Sequence, residues 1–387
     1  MSSPAKPSTV PGWLIAGWVT TFVVGTDLFV VSPFLPLIGK EMGRSPQSLT
    51  VLVSAFSLVY AVACPIQGRI AERFGAKAVL IFGVTALALA NAYTALASGY
   101  GNLIASRALA GLAAASTSPM IYTLTANNAE PARRASRLAF VNSGLIISLI
   151  LGAPVGLLLG SMTAWRWVFN GLSAILVGLA FVNWVAWPQQ NSGSKIQGAT
   201  RGDERLLYAW PFLAGMVAWA VSIYMTYTLL GTALQASLHL DVWAVSVVLS
   251  TFGLGATAGV ISGGILADKI GTSRVIFLSF IAMAAVFCLL AIAFLMKSLA
   301  LLVLGLFLVG LSGYGFFPAI QAAAANVFVA RRPTVIGLMS SSLYVGITFG
   351  SIAGGAIFDK FGMSQVLWVS AIASCLGLVI IWNLPKG

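Results

Sequence analysis

A series of long apolar segments constrains this chain more than any other feature of its sequence. There are twelve of them, at 13–38, 48–66, 78–98, 102–125, 138–160, 167–187, 208–233, 242–266, 275–296, 299–325, 335–357 and 365–384. Each is long enough to cross the roughly 30 Å hydrocarbon core of a bilayer as an α-helix. Only 8% of the residues are charged, which is too few to build a water-exposed surface. The sequence therefore predicts an all-α polytopic membrane protein with twelve transmembrane helices.

The longest polar interval divides these segments into two groups of six. It runs from Pro188 to Arg205 and is rich in Gly, Ser, Gln and Asn, a composition typical of a flexible linker. We therefore expect an N-terminal six-helix bundle at 1–187, a cytoplasmic linker at 188–206 and a C-terminal six-helix bundle at 207–387.

The distribution of Lys and Arg indicates the orientation in the membrane. With both termini placed in the cytoplasm, fifteen of the 21 basic residues fall on the cytoplasmic side and five on the outer side. Short cytoplasmic loops of membrane proteins carry such an excess, so we expect both termini inside. Because the basic residues are scattered over short loops, the net charge of +12 does not indicate nucleic-acid binding.

Two charged residues remain inside the apolar segments. Asp27 lies roughly 20 Å from one end of the first segment and roughly 16 Å from the other, close to the bilayer midplane. A charge at that depth costs several kcal/mol unless it is protonated, paired or hydrated, which favours a functional role over a structural ion pair. Arg107 lies early in the fourth segment, and its difference in depth from Asp27 is within the reach of an Arg side chain. The sequence is compatible with an ion pair but does not prove one. We predict that Asp27 carries a proton, because burial disfavours its charged form and Arg107 favours it.

This chain contains few residues of the types that usually carry out catalysis or bind metals. Cys64, Cys288 and Cys375 lie in apolar segments, and His239 is the only histidine. Buried cysteines of this kind usually act as small apolar side chains. We therefore expect no enzymatic activity, no cofactor and no metal site.

A charged motif with glycines occurs at matching places in the two halves. The first copy, between segments two and three, contains Gly68, Glu72, Arg73, Gly75 and Lys77, and the second, between segments eight and nine, contains Gly264, Asp268, Gly271 and Arg274. Glycine permits a tight turn, and the acid can interact with basic neighbours or a helix N-terminus. One copy alone would be compatible with a generic basic turn. Two copies favour a conformational latch in each half.

The repeated motif resembles the signature of the major facilitator superfamily, Gly-x-Leu-Ala-Asp-x-x-Gly-x-[Arg/Lys]-[Arg/Lys]. The resemblance covers the whole chain, and a second repeat supports it, since Gly111-Leu112 and Gly310-Leu311 occupy matching places in segments four and ten. The first copy departs from the signature at Ile70 and Glu72. The resemblance implies two pseudo-symmetric six-helix bundles that transport by alternating access.

Two further stretches resemble motifs of the same superfamily. Leu103–Gly111 is similar to its helix 4 motif, whose arginine, here Arg107, is implicated in proton coupling. Ser148–Gly156 is similar to the glycine–proline motif associated with antiporters, although Ala153 and Leu157 replace glycines. The remaining Gly152, Pro154 and Gly156 still permit a bend and close packing, and glycine-mediated packing alone is the alternative interpretation.

The first segment narrows the resemblance to one branch. Gly25-Thr26-Asp27, Ser32-Pro33 and Pro36, together with Trp165–Phe169, are similar to twelve-helix drug–proton antiporters and the related sugar-efflux transporters. This implies a bacterial inner-membrane exporter, working as a monomer in the lipid bilayer, whose partners are protons and a small-molecule substrate. Export of lipophilic or cationic compounds is the first interpretation, export of sugars or other metabolites the second, and uptake by symport the third.

Aromatic and polar residues in otherwise aliphatic segments are the candidates for the substrate cavity. They are Tyr60, Tyr122, Asn142, Tyr224, Tyr227, Gln321 and Tyr344. A largely apolar pocket with few polar groups suits a lipophilic compound. Each residue could instead form a helix–helix hydrogen bond or lie at the membrane interface.

Overall fold

The computed structural model describes residues 11–130, 134–188, 206–328 and 332–382. The predicted linker at 188–206 lies outside these ranges except for its two end residues. The helices are α1 (Gly12–Met42), α2 (Pro46–Phe74), α3 (Ala76–Leu96), α4 (Tyr100–Ala114), α5 (Ser118–Asn128), α6 (Arg134–Ile147), α7 (Ala153–Met162), α8 (Trp165–Ala186), α9 (Trp210–Leu238), α10 (Val242–Ile270), α11 (Thr272–Leu295), α12 (Leu299–Val327), α13 (Arg332–Phe361) and α14 (Met363–Ile381). A π-helical turn, Ser148–Gly152, joins α6 to α7.

These helices make twelve membrane crossings. In the described ranges, eleven helical stretches are long and apolar enough to span a bilayer, counting α6, the π-helical turn and α7 as one. The fourth crossing consists of α4 and α5, which are separated by a turn at 115–117 and are each too short to span alone. The prediction of an all-α membrane protein with twelve crossings is confirmed.

The two groups of six crossings repeat one packing pattern. In the N-terminal bundle α1 packs on α6, α2 on α4 and α3 on α8, and in the C-terminal bundle α9 packs on α13, α10 on α12 and α11 on α14. The glycine repeat explains one of these pairs. A Cβ atom at Gly111 would collide with the carbonyl oxygen of Phe56, and one at Gly310 with that of Phe252. Only glycine permits so close an approach, and it does so at the same point in both bundles.

The helices that carry the charged motifs end later than predicted. The expected ends at 66 and 266 are wrong, because α2 continues to Phe74 and α10 to Ile270. The helix outlasts the apolar segment since Arg, Glu, Lys and Ala are good helix formers. The chain then turns at Gly75 and Gly271, whose φ angles of 86° and 93° are readily adopted only by glycine.

The two bundles meet at the face opposite the termini. We call the face at which α1 begins and α14 ends the terminal face, and the other the opposite face. The Oγ atoms of Ser54 in α2 and Ser351 in α13 lie 2.7 Å apart, in a buried hydrogen bond. Ser250 in α10 donates to the carbonyl oxygen of Ile150, at 3.1 Å. Because α2 and α10 begin at the opposite face, these contacts close that face.

Candidate functional site

The two charges predicted inside the membrane form an ion pair. Arg107 Nη1 donates to Asp27 Oδ1 at 2.9 Å, and Arg107 Nη2 donates to the Asp27 carbonyl oxygen at 3.4 Å. Both residues are buried, with 0% and 1% of the surface of Asp27 and Arg107 exposed. A pair so far from water is stable only because each charge balances the other.

The surroundings leave part of each charged group without a hydrogen-bond partner. The guanidinium carbon of Arg107 lies 4.9 Å from the ring centroid of Phe56 and 5.9 Å from that of Phe169. Both rings stabilise the cation through their π faces. Asp27 Oδ2 and Arg107 Nε are buried and have no hydrogen-bond partner among the described residues. Asp27 therefore uses only one of its two carboxylate oxygens in the ion pair.

Close packing against the fifth crossing holds α1 in place beside the ion pair. A Cβ atom at Gly152 would collide with Thr26 Oγ1, and one at Gly156 would lie 2.6 Å from a methyl carbon of Val30. The π-helical turn ends two residues before Pro154, so the bend expected at this motif takes the form of an extra residue in one helical turn. The same turn receives the hydrogen bond from α10 of the other bundle. It thus contacts both α1 and the opposite bundle.

A largely apolar cavity lies between the two bundles, in a region where about 520 Å³ of space between atoms includes space open to solvent. Its lining residues are Leu28, Phe29, Asn142, Leu145, Ile146, Leu149, Trp219, Tyr224, Val260, Tyr314, Phe317, Leu343, Tyr344 and Ile347. Within the described parts of the chain, this lining contains no charged side chain. Leu28 and Phe29 directly follow Asp27 on α1, whereas the ion pair itself does not line the cavity.

Five of the seven residues predicted for the cavity lie on its wall or directly behind it. Asn142, Tyr224 and Tyr344 line it. The ring of Tyr60 stacks on that of Tyr344, with centroids 3.6 Å apart. Tyr122 donates to Asn142 Oδ1 at 3.0 Å. Tyr60 and Tyr122 are therefore not wall residues but support two residues that are.

The other two predicted residues lie away from the wall. The ring of Tyr227 packs between Phe29 and Phe252, with centroids 6.0 and 5.2 Å away. Gln321 is partly buried on α12, one helical turn beyond Phe317, and does not reach the lining. Each of the two lies one helical turn from a wall residue on the same helix face, so its position along the helix and its own packing keep it off the wall.

The sequence analysis missed most of the aromatic wall. Phe29, Trp219, Tyr314 and Phe317 all line the cavity. Tyr314 and Phe317 are three residues apart on α12, a spacing that places two side chains on one helix face and could have indicated a shared surface. Trp219 Nε1 donates a hydrogen bond to the carbonyl oxygen of Gly313 at 2.7 Å.

The first charged motif makes contacts within its own bundle. Lys77 Nζ donates to the carbonyl oxygen of Trp187, just after the end of α8, and so links α3 to α8. The guanidinium carbon of Arg73 lies 5.5 Å from the ring centroid of its neighbour Phe74. Gly68 has open space around it, and the side chain of Glu72 lies outside the described part of the structure.

The second charged motif is open in this conformation. Arg274 donates to the carbonyl oxygen of Ile270 at 3.4 Å, and Gly264 has open space around it. Asp268 is exposed and has no hydrogen bond or ion pair to any described residue. The motif lies at the terminal face, away from the contacts that close the opposite face. A latch at Asp268 would therefore have to form in another conformation.

Comparison with known proteins shows which family shares this architecture. The family model of the Major Facilitator Superfamily matches residues 17–231 and again 212–386. The MFS-type transporter YceJ of Bacillus subtilis is 26% identical over 94% of both chains, and the inner membrane transport protein YdhP of Escherichia coli is 26% identical over 95% of both. A chloramphenicol resistance protein of Streptomyces lividans is 28% identical over 67% of both chains.

Solved structures share the fold at lower sequence identity. A bacterial homologue of the human lysosomal transporter Spinster, in an inward-facing and occupied conformation, superposes with a TM-score of 0.76. It is 14% identical and covers 95% of both chains. Both bundles, their repeated motifs and the two family matches agree, and the chain therefore belongs to the major facilitator superfamily of membrane transporters.

Proposed function

We propose that this protein is a proton-coupled exporter of small lipophilic compounds that works by alternating access. The observation that carries the proposal is the buried Asp27–Arg107 pair, whose acid directly precedes two cavity-lining residues of α1. A proton on Asp27 Oδ2 removes the charge that balances Arg107, and so changes the stability of this packing. Substrate in the cavity contacts Leu28 and Phe29, the next two residues of α1. Proton and substrate thus act on the same short stretch of one helix.

The conformation of the described structure corresponds to one of the two states that an alternating-access cycle requires. The bundles are joined near the opposite face, and the cavity wall includes Asn142 and Trp219, which lie in the parts of α6 and α9 nearer the terminal face. With the predicted topology, substrate enters from the cytoplasm in this state. Rocking of the bundles would then expose the same cavity to the outside, where the proton binds. This proposal includes the predicted bundle bounds, the inner-membrane location, the cytoplasmic termini and the monomeric state. It does not include an enzymatic activity.

The cavity favours a lipophilic substrate over a sugar. A sugar carries many hydroxyl groups, each of which needs a hydrogen-bond partner when it leaves water. This wall offers Asn142 and a few aromatic polar atoms among aliphatic side chains. The likeness to a chloramphenicol resistance protein supports the same class. An uptake symporter would use the same residues, so the direction of transport must be measured.

The test uses the purified full chain in proteoliposomes with an imposed pH gradient. The wild type should accumulate a lipophilic test compound against its gradient and release protons when the compound is added. Asp27→Asn should do neither, because the amide cannot exchange a proton. Asp359→Asn, an exposed acid near the end of α13, is the matched control and should behave as the wild type. Unimpaired gradient-driven export by Asp27→Asn would overturn the proposed proton coupling.

A further inference from the structure

We infer that the cavity selects neutral aromatic molecules carrying a hydrogen-bond acceptor, and that Asn142 is the residue that recognises the acceptor. This inference rests on the proposed function and goes further, because it separates neutral from cationic compounds. Three features of the cavity carry it: its aromatic wall, its lack of charge and the hydrogen bonding of Asn142.

Aromatic side chains form a large part of the wall. The rings come from four helices of both bundles and belong to Phe29, Trp219, Tyr224, Tyr314, Phe317 and Tyr344. They pack on one another as well, as the 5.5 Å between the ring centroids of Trp219 and Tyr314 shows. Such a wall presents flat apolar faces at fixed angles. A planar aromatic ligand gains both apolar burial and ring–ring contact there.

The wall lacks the charge that a buried cation needs. No carboxylate lies among the lining residues, and Asp27, which directly precedes Leu28 on α1, is already paired with Arg107. A cation that enters the cavity loses its hydration and gains only the attraction of aromatic π faces. The free energy gained from the π faces is smaller than the free energy of hydration that is lost. Exposed Arg69, Arg73 and Arg274 add positive charge at the terminal face. The electrostatics therefore favour a neutral ligand.

Asn142 supplies the polar contact. Its Oδ1 accepts the hydrogen bond of Tyr122, which fixes the orientation of the amide. Its Nδ2 has no acceptor among the described residues, so two N–H groups remain available on the cavity wall. Leu145 and Ile146, one turn further along α6, are apolar. A carbonyl, nitro or hydroxyl oxygen of a ligand is the natural partner for this isolated donor.

The experiment compares two aromatic probes of similar size but different charge. Binding of radiolabelled chloramphenicol, a neutral nitroaromatic amide, and of radiolabelled tetraphenylphosphonium, a cation without acceptors, is measured on the purified full chain. The wild type should bind chloramphenicol more tightly than the cation. Asn142→Leu should weaken chloramphenicol binding about three- to ten-fold, the loss expected for one neutral hydrogen bond.

A second variant should gain affinity for the cationic probe, a result that unfolding of the protein cannot produce. Asn142→Asp places a carboxylate on the wall, and it should raise the affinity for tetraphenylphosphonium while lowering that for chloramphenicol. Asn102→Asp, an exposed residue at the start of α4, is the matched control and should change neither. Three outcomes would overturn the inference. The wild type could prefer the cation, it could bind neither probe, or Asn142→Asp could keep the preference of the wild type. The proton-release assay on Asp27→Asn decides the proposed function independently.

Discussion

Neutralising one member of the Asp27–Arg107 pair should cost more stability than neutralising both. Asp27→Asn keeps the shape of the side chain but leaves a guanidinium that is 1% exposed without a counter-ion. Removing one partner of a buried ion pair costs about 3–5 kcal/mol. The Asn Oδ1 can still accept the 2.9 Å hydrogen bond from Arg107, so we expect the lower end of that range, about 3 kcal/mol.

The double variant Asp27→Asn/Arg107→Gln should recover most of this loss. It buries no charge, and its two amides can hydrogen-bond to each other, so its free energy of unfolding should lie within about 1–2 kcal/mol of the wild type. Arg107→Gln alone should be destabilised like Asp27→Asn. The double-mutant cycle should then give a coupling energy of about 4–5 kcal/mol.

The measurement is the midpoint of thermal unfolding of each variant, purified in detergent. After heating, gel filtration quantifies the protein that remains folded. At about 2 °C per kcal/mol for a large chain, Asp27→Asn should lower the midpoint by about 6 °C. Asp359→Asn should leave it unchanged. If Asp27→Asn is as stable as the wild type and the two substitutions add, Asp27 is uncharged in the folded protein and the argument for an ionised pair fails.

Two further predictions concern the two faces of the protein. Asp268→Asn should lower transport while expression persists, because it weakens the closed state of the terminal face. Labelling of a cysteine introduced in the cavity should then increase, and an unchanged rate would contradict the latch. Ser54→Cys/Ser351→Cys should form a disulfide under oxidation, since the two hydroxyls are 2.7 Å apart, and should stop transport until a reductant is added. Continued transport by the fully oxidised protein would show that this contact does not open during the cycle.

The sequence alone determined the number of crossings and which two charges lie inside them. Both follow from the cost of placing polar groups in hydrocarbon, which can be read one segment at a time. Asp27 and Arg107 were the only charges inside the apolar segments, but that they pair directly was decided by the tertiary structure. The glycine repeat was also readable, because a close helix approach at Gly111 and Gly310 tolerates no side chain.

Only the tertiary structure decided which residues face the cavity and which face is closed. Tyr224 and Tyr227 lie one turn apart on α9, with ring centroids 6.2 Å apart, yet only Tyr224 lines the cavity, because Phe29 and Phe252 pack around the ring of Tyr227. The hydrogen bond between Ser54 and Ser351 joins crossings far apart in the chain and exists only when the bundles tilt together at that face. In a membrane, helices associate through packing rather than through a hydrophobic effect between them, so no single segment encodes these contacts. They arise when the two bundles meet.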